Sequence, residues 1–237
     1  MIDLSADLGE GSPGEDEIWP LITSANVACG GHTGDGASME YAALQAKRYG
    51  VKLGAHPSYP DLANFGRKSM QMEPRALRAT LVEQIAGLQE IAERHGVGVV
   101  HVKPHGALYN DAHRDRALAD TIVEALRELD ETIALVCPDA SQMAAAARAA
   151  GTPVIREAFA DRRYNADGSL VSRKEANALL NVDEAVEQAA LLVSDGAVVA
   201  ADGTRVRLAF DTICIHADME RAVERLRAIR QRLGGNR

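Results

Sequence analysis

Short runs of apolar and β-branched residues recur along the chain, separated by longer stretches with helical spacing. Ile2–Ala6, Leu21–Ala28, Val51–Ala55, Val97–Val102, Thr132–Val136, Pro153–Ala158 and Arg207–Ile215 read as strands. Gly36–Tyr49 is alanine-rich and stops at Gly50, a natural helix terminator. Glu73–His95 carries Leu77, Leu81, Ile85, Leu88 and Ile91 at helical spacing, with Pro74 in its first turn and Gly96 after it. Asp115–Leu129, Asp139–Ala150, Asp183–Ser194 and Met219–Leu233 have similar helical character.

Strand and helix therefore alternate about seven times. That order predicts a parallel α/β barrel or an open doubly wound sheet, and seven strands favour a seven-stranded parallel (β/α) barrel, one strand short of the usual eight. Tyr164–Asn181 lacks periodicity and reads as a lid or binding loop. Asp202-Gly203 predicts a tight hairpin between Gly196–Val199 and Arg207–Phe210. With no linker and no repeat, residues 1–237 are expected to form one domain.

Composition narrows the function classes. The net charge of −8 argues against nucleic acid, which selects a basic field. Aromatic residues make up only 4%, so Ala, Val, Leu and Ile must build the core. Cys29, Cys137 and Cys214 form no CxxC pair, as expected in a reducing cytosol. No signal peptide or membrane-length apolar run is legible, so a soluble cytoplasmic location is expected.

The chemistry sits where the strands end. Asp7 and Glu10 follow the first run, and Cys29-Gly-Gly-His-Thr-Gly-Asp-Gly36 follows the second. His56 ends the third, with Arg67 further along the same connection. His101, Lys103 and His105 alternate at the end of the fourth, and Glu157, Asp161 and Arg162 follow the sixth. His216 and Asp218 close the last, where Asp218 reads as an ordinary cap. Parallel α/β folds gather such strand ends into one cleft, so the pattern reads as an enzyme. The glycine-rich loop opens a helix and either offers N–H groups for an anion or makes a tight turn with Asp35 as the helix cap. A lysine on the inner side of a barrel strand is costly unless paired, which singles out Lys103. Asp7, His32, His56 and His105 have metal-ligand chemistry but no motif spacing. Cys29 is a further candidate nucleophile. No GxxxxGK[ST] phosphate loop occurs.

Seven blocks carry a family resemblance: Ile2–Gly11, Ser24–Asp35, Gly54–Arg67, His101–Asn110, Glu157–Tyr164, Gly168–Arg173 and Ile213–Asp218. In this order they resemble the LamB/YcsF family, described as the A-subunit of the prokaryotic ATP-dependent 5-oxoprolinase. Two positions depart from the family pattern. Ser5-Ala6 stands where Asn-Cys is usual, and Ala217 stands where glycine is usual.

The resemblance implies a barrel similar to the glycoside hydrolase and polysaccharide deacetylase barrels. It implies opening of 5-oxoproline (pyroglutamate) to glutamate, with ATP consumed by a complex that includes subunits B and C. Nucleotide handling by those partners fits the missing phosphate loop. Asp7, His32, Lys103 and His105 are the expected catalytic residues, with Asp7 or His32 acting on water. The expected substrate-contacting set is Glu10, Asn26, Gly30, Gly31, Asp35, His56, Arg67, Glu157, Asp161, Arg162, Arg173 and His216. Two rival readings stand beside this one: a metal-dependent amidohydrolase or deacetylase acting alone on a small or carbohydrate substrate, and a non-catalytic binding subunit.

Overall fold

The computed structural model describes residues 2–234. Seven parallel strands close into a barrel: β1 (Asp3–Leu8), β2 (Ser24–Ala28), β3 (Lys52–His56), β4 (Val99–Val102), β5 (Ala134–Cys137), β6 (Val154–Phe159) and, later in the chain, β9 (Thr212–His216). β9 sits between β6 and β1 and closes the ring. The helices are α1 (Gly36–Tyr49), α2 (Pro74–Arg94), α3 (Gly106–Ala112), α4 (Arg116–Leu129), α5 (Gln142–Ala150), α6 (Val182–Asp195) and α7 (Ala222–Arg232). β7 (Ala197–Val199) and β8 (Arg205–Arg207) form a separate antiparallel hairpin.

The barrel expectation holds, with local differences. The last apolar run, Arg207–Ile215, is not one strand. Its first residue ends β8, and the barrel strand begins only at Thr212. Asp211 marks the break, accepting from the Arg156 backbone N–H and guanidinium and so fixing the entry to β9. The turn at Asp202-Gly203 is present, with Gly203 at φ +87°. Helix α3 is an addition to the expected elements, since its seven residues give too little periodicity to read.

Alternation along each strand sends one set of side chains to the helices and the other to the barrel axis. Leu4, Ala6 and Leu8 join the apolar layer, where Leu77, Leu81, Ile85 and Leu88 of α2 and Ile122 and Leu126 of α4 also pack. Ser5 and Asp7 point the other way. The Thr212 hydroxyl donates to Ser5 Oγ at 3.1 Å. Of the two residues at the altered first block, Ser5 therefore lies on the barrel axis, whereas Ala6 packs in the apolar layer away from any cleft.

The barrel axis is polar rather than filled with aliphatic side chains. Asn26 donates to Asp7 Oδ1 at 2.8 Å, and its Oδ1 lies 2.9 Å from His101 Nε2. Gly54 makes room for this network, since a Cβ there would collide with the His101 ring. Gly54→Ala should destabilise the fold by about 3 kcal/mol, from overpacking plus the lost His101–Asn26 hydrogen bond. Urea unfolding checks this. Combining it with His101→Ala should cost less than the sum of the two, because the clash partner is gone. Full additivity would contradict the packing described.

Candidate functional site

Lys103 lies just past β4 at the carboxyl end of the barrel and is 3% exposed. Its ammonium reaches Asp7 Oδ1 at 2.9 Å and Oδ2 at 3.2 Å, Glu157 Oε1 at 2.9 Å and Cys214 Sγ at 3.1 Å. The Phe159 ring centroid lies 5.2 Å from Nζ. Burial works against the charge, but Asp7, Cys214 and Glu157 hold the ammonium well above its ordinary pKa. Glu157 also accepts from the Tyr109 hydroxyl at 2.8 Å. Lys103 is thus a fixed cation between two carboxylates from β1 and β6, as its inward position predicted.

Asp7 is fully engaged. Besides Lys103 and Asn26, His56 Nε2 lies 3.5 Å from Oδ2. Burial raises its pKa, but His56 and Lys103 outweigh that and hold it well below the ordinary carboxylate range. Such a carboxylate is a weak base and a strong electrostatic anchor.

A second group gathers beside Asp7. Glu10 Oε1 lies 3.1 Å from His32 Nε2 and 3.4 Å from His105 Nδ1. The His32 and His105 rings stack at 3.7 Å, and His56 meets each of them edge-on. Backbone carbonyls fix two of these rings: Lys103 O lies 2.7 Å from His56 Nδ1, and Phe65 O lies 3.0 Å from His105 Nε2. Phe65 holds that carbonyl in a left-handed turn at φ +54°. Gly66 must follow without a side chain, because a Cβ would come within 2.9 Å of His32 Cβ and 3.0 Å of His105 Cδ2.

The third group is a carboxylate–imidazole pair. Asp161 is fully buried beyond β6 and accepts from the His216 backbone N–H at 2.6 Å. Its other oxygen takes the His216 Nδ1–H at 3.0 Å. Burial raises the Asp161 pKa, but His216 more than offsets this and holds it below the usual range. With Nδ1 facing Asp161, Nε2 is the nitrogen that His216 has left for other partners, and the ring lines the cleft. Its ring stacks on Phe159 at 5.4 Å.

Arginines edge the cleft. Arg67 and Arg173 both pair with Asp218, at 2.5 and 3.2 Å. Arg162 lines the wall and donates to Val171 O at 2.8 Å.

Of the residues expected from sequence, Asp7, Glu10, His56, Arg67, Lys103, His105, Glu157, Arg162, Arg173 and His216 line this one cleft. His32 and Asp161 stand directly behind them. The glycine-rich loop corrects the expectation. Asp35 is exposed and caps α1 in a reciprocal box with Ser38, so it occupies the N–H groups expected to hold an anion. The Gly30 N–H is taken by Thr33 O. Gly31 is packed so tightly that a Cβ would collide with the Gln84 amide. Asn26 is fully buried with both ends of its amide engaged, so it positions Asp7 rather than contacting a ligand. Cys29 is buried, and burial pushes its thiol up to about 12, which is poor for a nucleophile. Asp218 is more than a cap, and its place two residues past His216 was the available signal. Tyr109 and Phe159 also enter the site, on the short helix α3 and at the end of β6.

Burial lowers His113 and depresses three deeper histidines strongly, His32 to about 3, His101 to about 4 and His105 to about 2. Each of these three stays neutral when folded but binds a proton in the unfolded chain below about pH 6.5. Their contribution is present above that pH and is lost as the pH falls. Glu10, raised to about 7 by burial, works in the opposite sense between about pH 7 and its unfolded value. Three protons against one leave stability falling by roughly 2–3 kcal/mol per pH unit between about pH 6 and 5. Urea midpoints at pH 7 and pH 5 check this, and equal midpoints would contradict the buried neutral cluster.

The profile of the LamB/YcsF family matches residues 2–237. The chain is 44% identical over 234 residues to a 5-oxoprolinase A-subunit from Neisseria meningitidis serogroup A, covering 98% of this chain and 96% of that one. It is likewise 44% identical over 238 residues to a 5-oxoprolinase A-subunit from Chloroflexus aggregans, covering 98% and 94%. The crystal structure of a lactam utilization protein from Thermus thermophilus superposes with a TM-score of 0.92 at 39% identity, covering 98% of this chain and 96% of that one. Sequence and three-dimensional likeness run over nearly the whole barrel together, and the chain belongs to the LamB/YcsF family.

Proposed function

We propose that the chain is the A-subunit of an ATP-dependent 5-oxoprolinase and opens the lactam of 5-oxoproline to glutamate together with subunits B and C. The observation that carries this reading is the pairing of a fixed cation, Lys103, with an Asp161-supported His216 in a cleft edged by arginines. The names of the 44% identical relatives support it.

The five-membered lactam is a stable amide. Phosphorylation of its oxygen at the expense of ATP, by the partner subunits, makes the ring carbon electrophilic. Water then attacks that carbon, and His216 Nε2 takes the water proton. The C–N bond breaks and the ring nitrogen takes up a proton to become the amine, leaving an acyl phosphate. A second water cleaves it, releasing inorganic phosphate and the side-chain carboxylate. Lys103 stabilises the negative charge that develops on oxygen. Arg67 and Arg173 exchange Asp218 for the substrate carboxylate. Asp7 holds Lys103 in place. These roles replace Asp7 and His32 as the base, since Asp7 is fully ion-paired and His32 lies behind Glu10.

The test is glutamate formation from 5-oxoproline with this chain, ATP and the partner subunits, omitting each in turn. Glutamate is expected only from the complete mixture. Glutamate made by this chain alone, without ATP, would favour the solitary amidohydrolase instead. None of the described helices is long and apolar enough to cross a membrane.

A further inference from the structure

Four consecutive barrel strands each deliver one donor atom to a single point. Glu10 follows β1, His32 follows β2, His56 ends β3 and His105 follows β4. One ligand atom from each of Glu10, His32, His56 and His105, a carboxylate oxygen and three ring nitrogens, lies within 4.8 Å of the others.

The hydrogen bonds on the far side of two rings decide what these atoms offer. His56 gives its Nδ1–H to the Lys103 carbonyl, so its Nε2, 3.5 Å from Asp7 Oδ2, is the atom that faces the cluster and offers a lone pair once its proton is displaced. His105 gives its Nε2–H to the Phe65 carbonyl, which leaves a lone pair on Nδ1. Those two nitrogens face each other at 3.0 Å. Glu10 Oε1 stands 3.4 Å from His105 Nδ1, 3.9 Å from His56 Nε2 and 3.1 Å from His32 Nε2. Acceptor atoms this close need a proton or a cation between them. One proton satisfies one of these contacts, whereas a metal ion satisfies all of them.

We propose that Glu10, His32, His56 and His105 form a binding site for one divalent first-row transition-metal ion of the zinc type. A zinc-like ion with ligands near 2.0–2.2 Å in tetrahedral geometry spaces its donors by about 3.4 Å, which falls within the separations seen here. Three imidazoles and one carboxylate suit zinc, cobalt, nickel or iron, whereas magnesium and calcium prefer all-oxygen sites. Backbone carbonyls on the outer nitrogens of two rings are the usual device for orienting metal-binding imidazoles. The Phe65-Gly66 turn presses on His32 and His105 from behind and limits their movement. Glu10, His56 and His105 line the cleft, so the ion would face the same space as Lys103 and His216.

Binding itself does not depend on the oxoprolinase reading. A use for the ion in lactam opening, as a Lewis acid near the reacting carbonyl, does rest on it. The test therefore reads metal without substrate. Chelator-treated protein, made without a histidine tag, is titrated with Co2+ and followed by its visible absorption. The expected result is one Co2+ per chain with the strong bands of a four- or five-coordinate site, displaced by one equivalent of Zn2+. His105→Ala and Glu10→Gln should each weaken binding by more than about 100-fold, since loss of a ligand exceeds the loss of an outer partner. His95→Ala, at the C-terminal cap of α2 beside Glu40 and outside the cluster, should bind as the wild type does. Sub-stoichiometric Co2+ or the weak spectrum of a hydrated ion in the wild-type protein would overturn the proposal, whatever the variants do. So would unchanged binding in a folded His105→Ala protein. Lack of glutamate formation alongside stoichiometric Co2+ would count against the oxoprolinase reading and leave the metal site standing.

Discussion

Lys103→Met should abolish nearly all turnover of the assembled complex, by about 10³-fold or more, and should also weaken the fold. The catalytic loss follows from removing a preorganised cation where negative charge develops on the reacting oxygen. The stability loss follows from what remains: Asp7 and Glu157 would stay buried with no cation between them. Breaking a buried pair from one side costs about 3–5 kcal/mol. Methionine keeps the volume of the lysine stem, so the packing against Phe159 is largely conserved. The distinguishing sign is pH. The abandoned carboxylates regain neutrality by taking up protons, so the stability gap between variant and wild type should narrow from pH 7.5 to pH 5.5. A gap that stays constant would mean that the lysine stem, and not its charge, supports the barrel. Near-normal turnover would remove Lys103 from the chemistry.

Asp161→Asn should lower turnover by about 10²–10⁴-fold while leaving substrate affinity little changed. The carboxylate now accepts both the backbone N–H and the ring N–H of His216. An asparagine amide presents an N–H of its own, which favours the opposite tautomer and moves the lone pair away from Nε2. Loss of the supporting carboxylate has an effect of this order in other acid–base sites with the same geometry. His216→Gln should cost about as much, and the double variant no more than the single one, because the two residues act as a unit. The effect should fall on kcat and spare KM. A rise in KM alone would make His216 a binding group. Multiplicative losses in the double variant would show that Asp161 acts independently of His216.

Much of this was legible in the chain. Alternating apolar runs and helical stretches specified a parallel α/β fold, because a buried parallel strand and an amphipathic helix have different periods. Polar residues at strand ends marked the cleft, because a closed barrel brings all the carboxyl ends to one rim. Lys103 stood out for the same reason: a lysine facing a barrel interior must have partners. The errors fell where local pattern carried no spatial information. Asp35 sits in the most glycine-rich stretch and reads as a site residue, yet its backbone position makes it a helix cap. Gly31 reads as part of an anion-binding loop, yet it is small because the distant Gln84 side chain fills its place, as His101 does at Gly54.

Strand count, the inward and outward faces of each strand, and the residue types available at the rim all follow from the order of residues alone. Periodicity is local, so these features need no knowledge of contacts. Pairing is different, because it exists only in the closed barrel. Closure joins Lys103 to Asp7 and Glu157, His216 to Asp161, and Arg67 and Arg173 to Asp218. It also turns the inner ring nitrogens of His56 and His105 toward Glu10, through carbonyls of Lys103 and Phe65. Those partners lie up to 151 positions apart, as Arg67 does from Asp218. The ring of strands sets which strand ends become neighbours, and the charge, tautomer and basicity of each group follow from those neighbours rather than from its place in the chain.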